Sequence, residues 1–121
     1  MYSKIVLDRF ISPIHAGLIK NADVVSSCIN EITGDTVKLY MLVEEDKIVE
    51  AKFKAYGSPL TICAADLMCE MLLQKTFDEA KIISNKEIED KMNMPSSPKL
   101  HASVMAEELI LEATKIFEKK K

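Results

Sequence analysis

Ser58 is a residue whose type and position could serve catalysis or ligand binding. It stands in the stretch KAYGSPLTIC, between an alternating apolar segment and Pro59, where a strand would run into a helix. A serine there can be a nucleophile, a weak ligand or a helix N-cap. A nucleophile needs an adjacent base and an oxyanion-stabilising frame, and no G-x-S-x-G pattern surrounds Ser58. We therefore predict an N-cap whose oxygen accepts a free backbone N–H.

The three cysteines, Cys28, Cys63 and Cys69, form the second set of reactive side chains. Their odd number and their spacing match no zinc or redox motif, so we expect reduced thiols. Cys28 falls in a predicted strand as a small apolar residue, and Cys69 is expected in the core or at the surface. Cys63 lies more than one helical turn beyond Ser58, which leaves a displaced ligand as an alternative to a core residue.

Composition and charge exclude several classes of function. The 121 residues, 48% of them apolar, predict a single domain over residues 1–121. The net charge is −3 and the basic residues form no stripe, which argues against a nucleic-acid partner. No apolar run approaches the roughly 18 residues of a membrane helix, and the first residues lack a signal-peptide pattern. We therefore predict a cytoplasmic protein without a membrane partner.

Hydrophobic periodicity divides the chain into strands and helices. Ser3 can cap a first amphipathic helix. Alternation of apolar and polar residues then predicts three sequential antiparallel strands whose sheet has one face exposed to solvent. After Gly57 the apolar spacing is helical. The predicted elements are a helix over 4–11, strands within 23–30, 36–44 and 47–56, a helix over 59–73, two short helices opened by capping boxes, and a long last helix.

Three separated stretches carry a resemblance to a known family. They are NEITGDTVKLYMLVEEDKIVEAKFKAYGS, PLTICAADLMCEML and PKLHASVMAEEL, supported by the opening YS and by QKTFDEA. In order and spacing they resemble the IscU/NifU N-terminal family of iron–sulfur cluster assembly scaffolds, from Tyr2 to about Phe117. The resemblance implies an α+β fold of the IscU/NifU-N (SufE/NifU-like) type, with an N-terminal helix, a three-stranded antiparallel sheet and helices packed on one face.

The family motifs locate five positions in this sequence. Family members carry Cys-Gly-Asp in the first turn, Gly-Cys after the third strand and His-Cys at the start of the last helix. Here Thr33, Ser58 and Ala102 replace the cysteines, whereas Asp35 and His101 are retained. Alcohols and a methyl group are poor substitutes for the thiolates that hold iron–sulfur clusters. The resemblance therefore implies no cofactor beyond weakly bound zinc or iron at Asp35 and His101, and an iron–sulfur cluster only with partner thiolates.

These replacements imply a scaffold homologue that is not an enzyme and does not build clusters itself. We expect an interaction or regulatory protein whose partner is a cysteine desulfurase or a cysteine-bearing scaffold. One alternative is an iron, zinc or cluster carrier that uses Asp35, His101 and Cys63 with partner thiolates, and another is a hydrolase built on Ser58 and His101. An Hsp70-type chaperone is not expected, because the family's Leu-Pro-Pro-Val-Lys segment is replaced by MPSSPK over residues 94–99.

Overall fold

The computed structural model describes residues 2–94 and 101–120 of the chain. The first helix and the second and third strands have the bounds that the sequence pattern predicts. The elements in chain order are α1 (Lys4–Ile11), β1 (Val24–Ile29), β2 (Thr36–Glu44), β3 (Lys47–Tyr56), α2 (Pro59–Leu72), α3 (Phe77–Ala80), α4 (Asn85–Met92) and α5 (His101–Lys120).

The strands form one antiparallel sheet in the order β1-β2-β3. Side chains alternate between its faces, so that Val37 and Leu39 of β2 are buried while Lys38 between them is exposed. The hairpin between β2 and β3 turns at Glu45 and Asp46, whose φ angles of 51° and 65° are left-handed. Such turns match the right-handed twist of the strands. The sheet has one buried face and one solvent face, as the alternation predicts.

Helices α2 and α5 cover the buried face of the sheet. Helix α2 is buried along most of its length and packs on β3, whereas α5 packs on β1 and α2. Five of the described methionines are buried and help to fill the core. The predicted α+β architecture, with helices on one face of a three-stranded sheet, is confirmed. No helix in the described ranges is long and apolar enough to cross a membrane.

A buried ion pair fastens α1 to α2. Asp66 of α2 is fully buried and accepts hydrogen bonds from Arg9 Nη1 at 2.8 Å and from the backbone N–H of His15 at 2.7 Å. Arg9 also donates to Glu70 at 2.8 Å. A carboxylate is stable in a protein interior only when its charge is paired and its oxygens are hydrogen-bonded. This cluster therefore fixes both α1 and the segment after it against α2.

Candidate functional site

Ser58 is the N-cap of α2. Its backbone is extended, with φ −73° and ψ 166°, and its Oγ accepts the backbone N–H of Thr61 at 3.4 Å. Pro59 is the first helical residue. The serine oxygen accepts one of the backbone N–H groups that have no partner within the first turn of a helix. Proline is suited to the first helical position because it has no backbone N–H that would need a partner there. The capping role predicted for Ser58 is confirmed.

Asp35 lies beside this helix start. The first residue of β2 pairs with the last residue of β3, so Asp35 and Gly57 adjoin each other just outside the ladder. The Thr61 hydroxyl donates to Asp35 Oδ2 at 2.5 Å, and the hydroxyl oxygens of Ser58 and Thr61 are 3.5 Å apart. A hydroxyl bonded to a carboxylate is a charge-assisted interaction. It joins the start of β2 to the start of α2.

The turn before β2 supplies another hydroxyl. Thr33 Oγ1 accepts the backbone N–H of Asp35 at 3.2 Å, and Gly34 between them has a φ of 81°. Glycine adopts such a left-handed angle without the steric cost of a Cβ, which lets the turn bring Thr33 back over Asp35. We call Thr33, Asp35, Ser58 and Thr61 the oxygen cluster.

Gly57 leaves room for the Asp35 carboxylate. A Cβ placed on Gly57 would lie only 2.7 Å from Asp35 Cγ, so a side chain at this position would displace the carboxylate. Thr61, whose hydroxyl holds the carboxylate from the other side, is 3% exposed. Thr61 is not among the site residues predicted from the sequence. Its spacing from Ser58 is the signal that could have found it, because residues three apart lie on one side of a helix.

The other two predicted site residues begin α5. His101 is the first residue of that helix, and Ala102 is buried at 7% exposure. The His101 side chain lies outside the described part of the structure, and so does the role predicted for it. Most of residues 94–99, the segment that bears on the chaperone, also lies outside the described residues. The metal site predicted at Asp35 and His101, and the family position at Ala102, stay predictions.

The three cysteines are free thiols. Cys28 on β1 is half-buried and donates to Glu108 at 3.3 Å, and burial followed by this carboxylate raises the pKa of its thiol to about 11. Cys63 is buried with its Sγ 4.0 Å from the carbonyl oxygen of Ile5 on α1, and burial raises its pKa to about 11. Burial also raises the pKa of Cys69. Since the thiolate is the form that binds metals, all three are held in the less reactive form.

The oxygen cluster offers hard donors. A carboxylate and three hydroxyls suit cations that prefer oxygen, whereas cluster iron is held chiefly by thiolate sulfur. In the described part of the chain, no three His, Cys, Asp or Glu side chains lie close enough together to hold a metal ion. The metal-binding role predicted for Asp35 therefore stays a prediction.

Comparison with known proteins relates the whole chain to cluster assembly. The family model described as NifU-like N terminal domain matches residues 1–121. Iron sulfur cluster assembly protein 1 of Encephalitozoon cuniculi is 36% identical over 120 residues, which cover 96% of this chain and 85% of that protein. The iron–sulfur cluster assembly scaffold protein IscU of Escherichia coli K12 is 33% identical over 124 residues, covering 99% of this chain and 96% of IscU.

Solved structures share the fold at lower identity. A protein assigned to the SUF system of iron–sulfur cluster assembly in Fervidobacterium islandicum superposes with a TM-score of 0.77 at 24% identity, covering 93% of this chain and 96% of the other. The N-terminal part of a NifU-like protein from Brucella abortus gives a TM-score of 0.72 at 14% identity, covering 98% and 95%. At these identities the likeness establishes the fold alone.

The relatives correct the prediction about cofactors. That prediction expected no cofactor beyond weakly bound zinc or iron, and it is wrong, because the similar proteins are named for the assembly of iron–sulfur clusters and the chain itself contains three cysteines. The error lay in giving the replacements at Thr33, Ser58 and Ala102 more weight than the three cysteines that the chain retains. A cluster can take ligands from elsewhere in a chain or from a second molecule. The chain belongs to the NifU-like N-terminal domain family, the family of the IscU-type scaffolds for iron–sulfur cluster assembly.

Proposed function

We propose that this chain takes part in iron–sulfur cluster assembly as a non-enzymatic member of the scaffold family that shares its cargo with a thiolate-bearing partner. The partner is a cysteine desulfurase or a cysteine-bearing scaffold, and docking of this chain regulates that partner. Family membership supports the role in cluster assembly. The oxygen cluster supports a shared site, because it presents one ionic oxygen ligand among neutral hydroxyls.

The observation that carries the proposal is the fixed position of the Asp35 carboxylate. The Thr61 hydroxyl donates to Asp35 Oδ2, and the missing side chain of Gly57 leaves space for the carboxylate. The half-exposed carboxylate is therefore held in one orientation at the start of β2. A carboxylate or an imidazole can complete an iron ligand set whose other members are thiolates. We assign Asp35 and His101 as the ligands that this chain contributes.

Cys63 is not assigned as a ligand in this proposal. Its sulfur lies against the carbonyl oxygen of Ile5, and burial raises the pKa of its thiol to about 11. Metal binding by Cys63 would require α1 to move and the thiol to lose its proton in a buried position. The partner's thiolates need neither change in this chain.

An enzymatic role for Ser58 lacks support among the described contacts. The Ser58 oxygen caps α2 through the N–H of Thr61, and its neighbouring side-chain group is the Thr61 hydroxyl at 3.5 Å. A serine nucleophile needs a base such as histidine or a carboxylate within hydrogen-bond reach. The role that we propose therefore consists of binding and regulation.

The test is the iron and acid-labile sulfide content of the protein isolated without oxygen. Wild type, Asp35→Ala and the control Asp78→Ala are purified in parallel, and iron, sulfide and co-purifying proteins are measured. Asp78 is an exposed carboxylate on α3, far from any assigned ligand in the chain order. We expect iron and sulfide to elute with a thiolate-bearing protein, and Asp35→Ala to retain about tenfold less of both, as for loss of a ligand or its support.

Two results would contradict the proposal. Iron and sulfide that stay on the isolated monomer, unaffected by Asp35→Ala, would mean that the chain holds its cargo with its own cysteines. Equal losses in Asp35→Ala and Asp78→Ala would mean that Asp35 acts only through net charge. Circular dichroism of each variant verifies the fold, so that a loss of cargo is not confused with unfolding.

A further inference from the structure

The solvent face of the sheet contains a groove next to the oxygen cluster. Its cavity volume is about 380 Å³. Three successive sets of residues, each paired across β1, β2 and β3, form this groove. The side chains of the middle set point toward the helices, so the floor of the groove is formed by the backbone of that set. The sets are Ser27, Lys38 and Lys54 on one wall, Cys28, Val37 and Ala55 on the floor, and Ile29, Thr36 and Tyr56 on the other wall. We call this feature the sheet groove.

One wall of the sheet groove is positively charged. Lys38 and Lys54 are direct partners in the β2–β3 register, and both are exposed. Neither forms an ion pair with any side chain in the described part of the chain. Like charges directly opposite each other destabilise a sheet. Within the described residues the sheet therefore presents two ammonium groups side by side without an ion pair, although the net charge of the chain is −3.

The opposite wall is largely apolar. Ile29 is 64% exposed and Tyr56 is 78% exposed, and they are the outer members of one cross-strand set. An aromatic ring with this exposure offers a large contact area with few rotamers to fix, which favours binding. A ligand that fills the groove must therefore place negative charge on one wall and apolar surface on the other.

The sheet groove ends at the candidate site. Thr36 directly follows Asp35 in the chain, and Tyr56 is two residues before Ser58. A segment lying across the groove would bring its own protein to the edge of the sheet where Asp35 is fixed. The sheet groove thus ends one or two residues from the oxygen cluster in the chain, where β2 begins and β3 ends.

We propose that the sheet groove binds an extended acidic segment of the partner protein, with a carboxylate between Lys38 and Lys54 and an apolar side chain against Tyr56. The proposal rests on the proposed function in identifying this partner with the one that brings thiolates. Charge complementarity and the two-sided groove favour an acidic peptide over a small anion, which would leave the apolar wall uncovered. The net negative charge of the chain disfavours a nucleic acid.

The test uses a short synthetic peptide with alternating glutamate and leucine residues, titrated into the isotope-labelled full chain and followed by amide chemical shifts. We expect saturable shifts at Ser27, Lys38, Lys54 and Tyr56 that weaken as salt is added. The double substitution Lys38→Glu and Lys54→Glu should weaken binding about tenfold or more. A control with two exposed lysines elsewhere, Lys20→Glu and Lys115→Glu, changes the net charge equally and should bind within about twofold of wild type.

Several outcomes would overturn the proposal. Chemical-shift changes that map outside the groove, or equal changes with a peptide in which glutamine replaces glutamate, would be two of them. Equal losses of affinity in both double variants would be another. So would full reproduction of the shift changes by inorganic phosphate or by a second copy of the chain. The backbone spectrum of each variant reports its fold. Because the titration contains no iron or sulfide, its result is independent of the cargo test, and either proposal can fail while the other stands.

Discussion

Removing the Thr61 hydroxyl tests whether it holds Asp35. Thr61→Val keeps the branched shape and nearly the same helix propensity, so the main change is the lost donor to the carboxylate. A hydrogen bond to a charged group contributes about 1.5 to 3 kcal/mol. Water can reach the half-exposed Asp35 and replace part of that bond. We therefore expect the free energy of unfolding to fall by about 1.5 kcal/mol, the lower end of this range.

Urea denaturation monitored by circular dichroism measures this loss. With a slope of about 1 to 3 kcal/mol per molar urea, the midpoint should decrease by about 0.5 to 1.5 M. Thr114→Val is the matched control, because Thr114 is also buried but donates only to the Ile110 carbonyl of its own helix at 2.9 Å. Such back-bonding contributes little to helix stability, so the control should change the midpoint by less than half as much as Thr61→Val.

A double-mutant cycle with Asp35→Ala isolates the pair. If the hydroxyl acts through the carboxylate, Thr61→Val should cost almost nothing once Asp35 is absent, and the coupling energy should be about 1 kcal/mol or more. A Thr61→Val variant as stable as wild type, or an equal cost in both backgrounds, would show that the hydroxyl does not act through Asp35. In the second case the loss would come from packing around the helix start and not from the bond.

Three further predictions follow from contacts in the fold. Gly57→Ala should lower the free energy of unfolding by about 1 to 3 kcal/mol, because its Cβ would overlap Asp35, and the loss measured in urea should shrink in an Asp35→Ala background. Asp66→Ala should cost about 3 to 5 kcal/mol in the same assay, because it removes the buried partner of Arg9 and the acceptor of the His15 N–H and leaves Arg9 only the half-exposed Glu70. A cost below about 1 kcal/mol would show that the ion pair does not fasten α1. Cys28 should react with iodoacetamide at pH 8 about a hundredfold more slowly than an ordinary thiol, because its pKa is raised to about 11 and little thiolate is present. The rate should rise with pH until the pH reaches this pKa, and Glu108→Gln should speed the reaction. An ordinary rate in wild type would refute the raised pKa of this thiol.

The elements could be predicted because their signals are local. The helix bounds follow from N-caps a few residues from the bonds they make, such as Ser3 at α1, and both predicted capping boxes are present at Thr76 and Ser84. The strands follow from alternation that a single buried face enforces. The single domain over residues 1–121 and the cytoplasmic localisation, which rest on composition, stay predictions.

Contacts between distant residues could not be predicted in the same way. Thr61 and Asp35 are 26 positions apart, and their bond depends on the register of β2 against β3 together with the direction in which α2 leaves the sheet. Arg9 and Asp66 are 57 positions apart and meet only because α1 folds back on α2. Propensity and periodicity describe one segment at a time and contain no information on which segments meet.

The cofactor prediction failed for a related reason. Residue types at three positions describe the donors that those positions offer, but they do not show which other ligands of the chain reach a cargo. In this chain the strand ends and helix start that hold Asp35 are built with hydroxyls in place of soft ligands. Hydroxyls stabilise the local backbone and orient the carboxylate, whereas thiolates would bind the iron directly. We propose that a chain with this donor set contributes geometry and charge to a shared site, and the proposed docking groove at the ends of β2 and β3 fits such a division of roles.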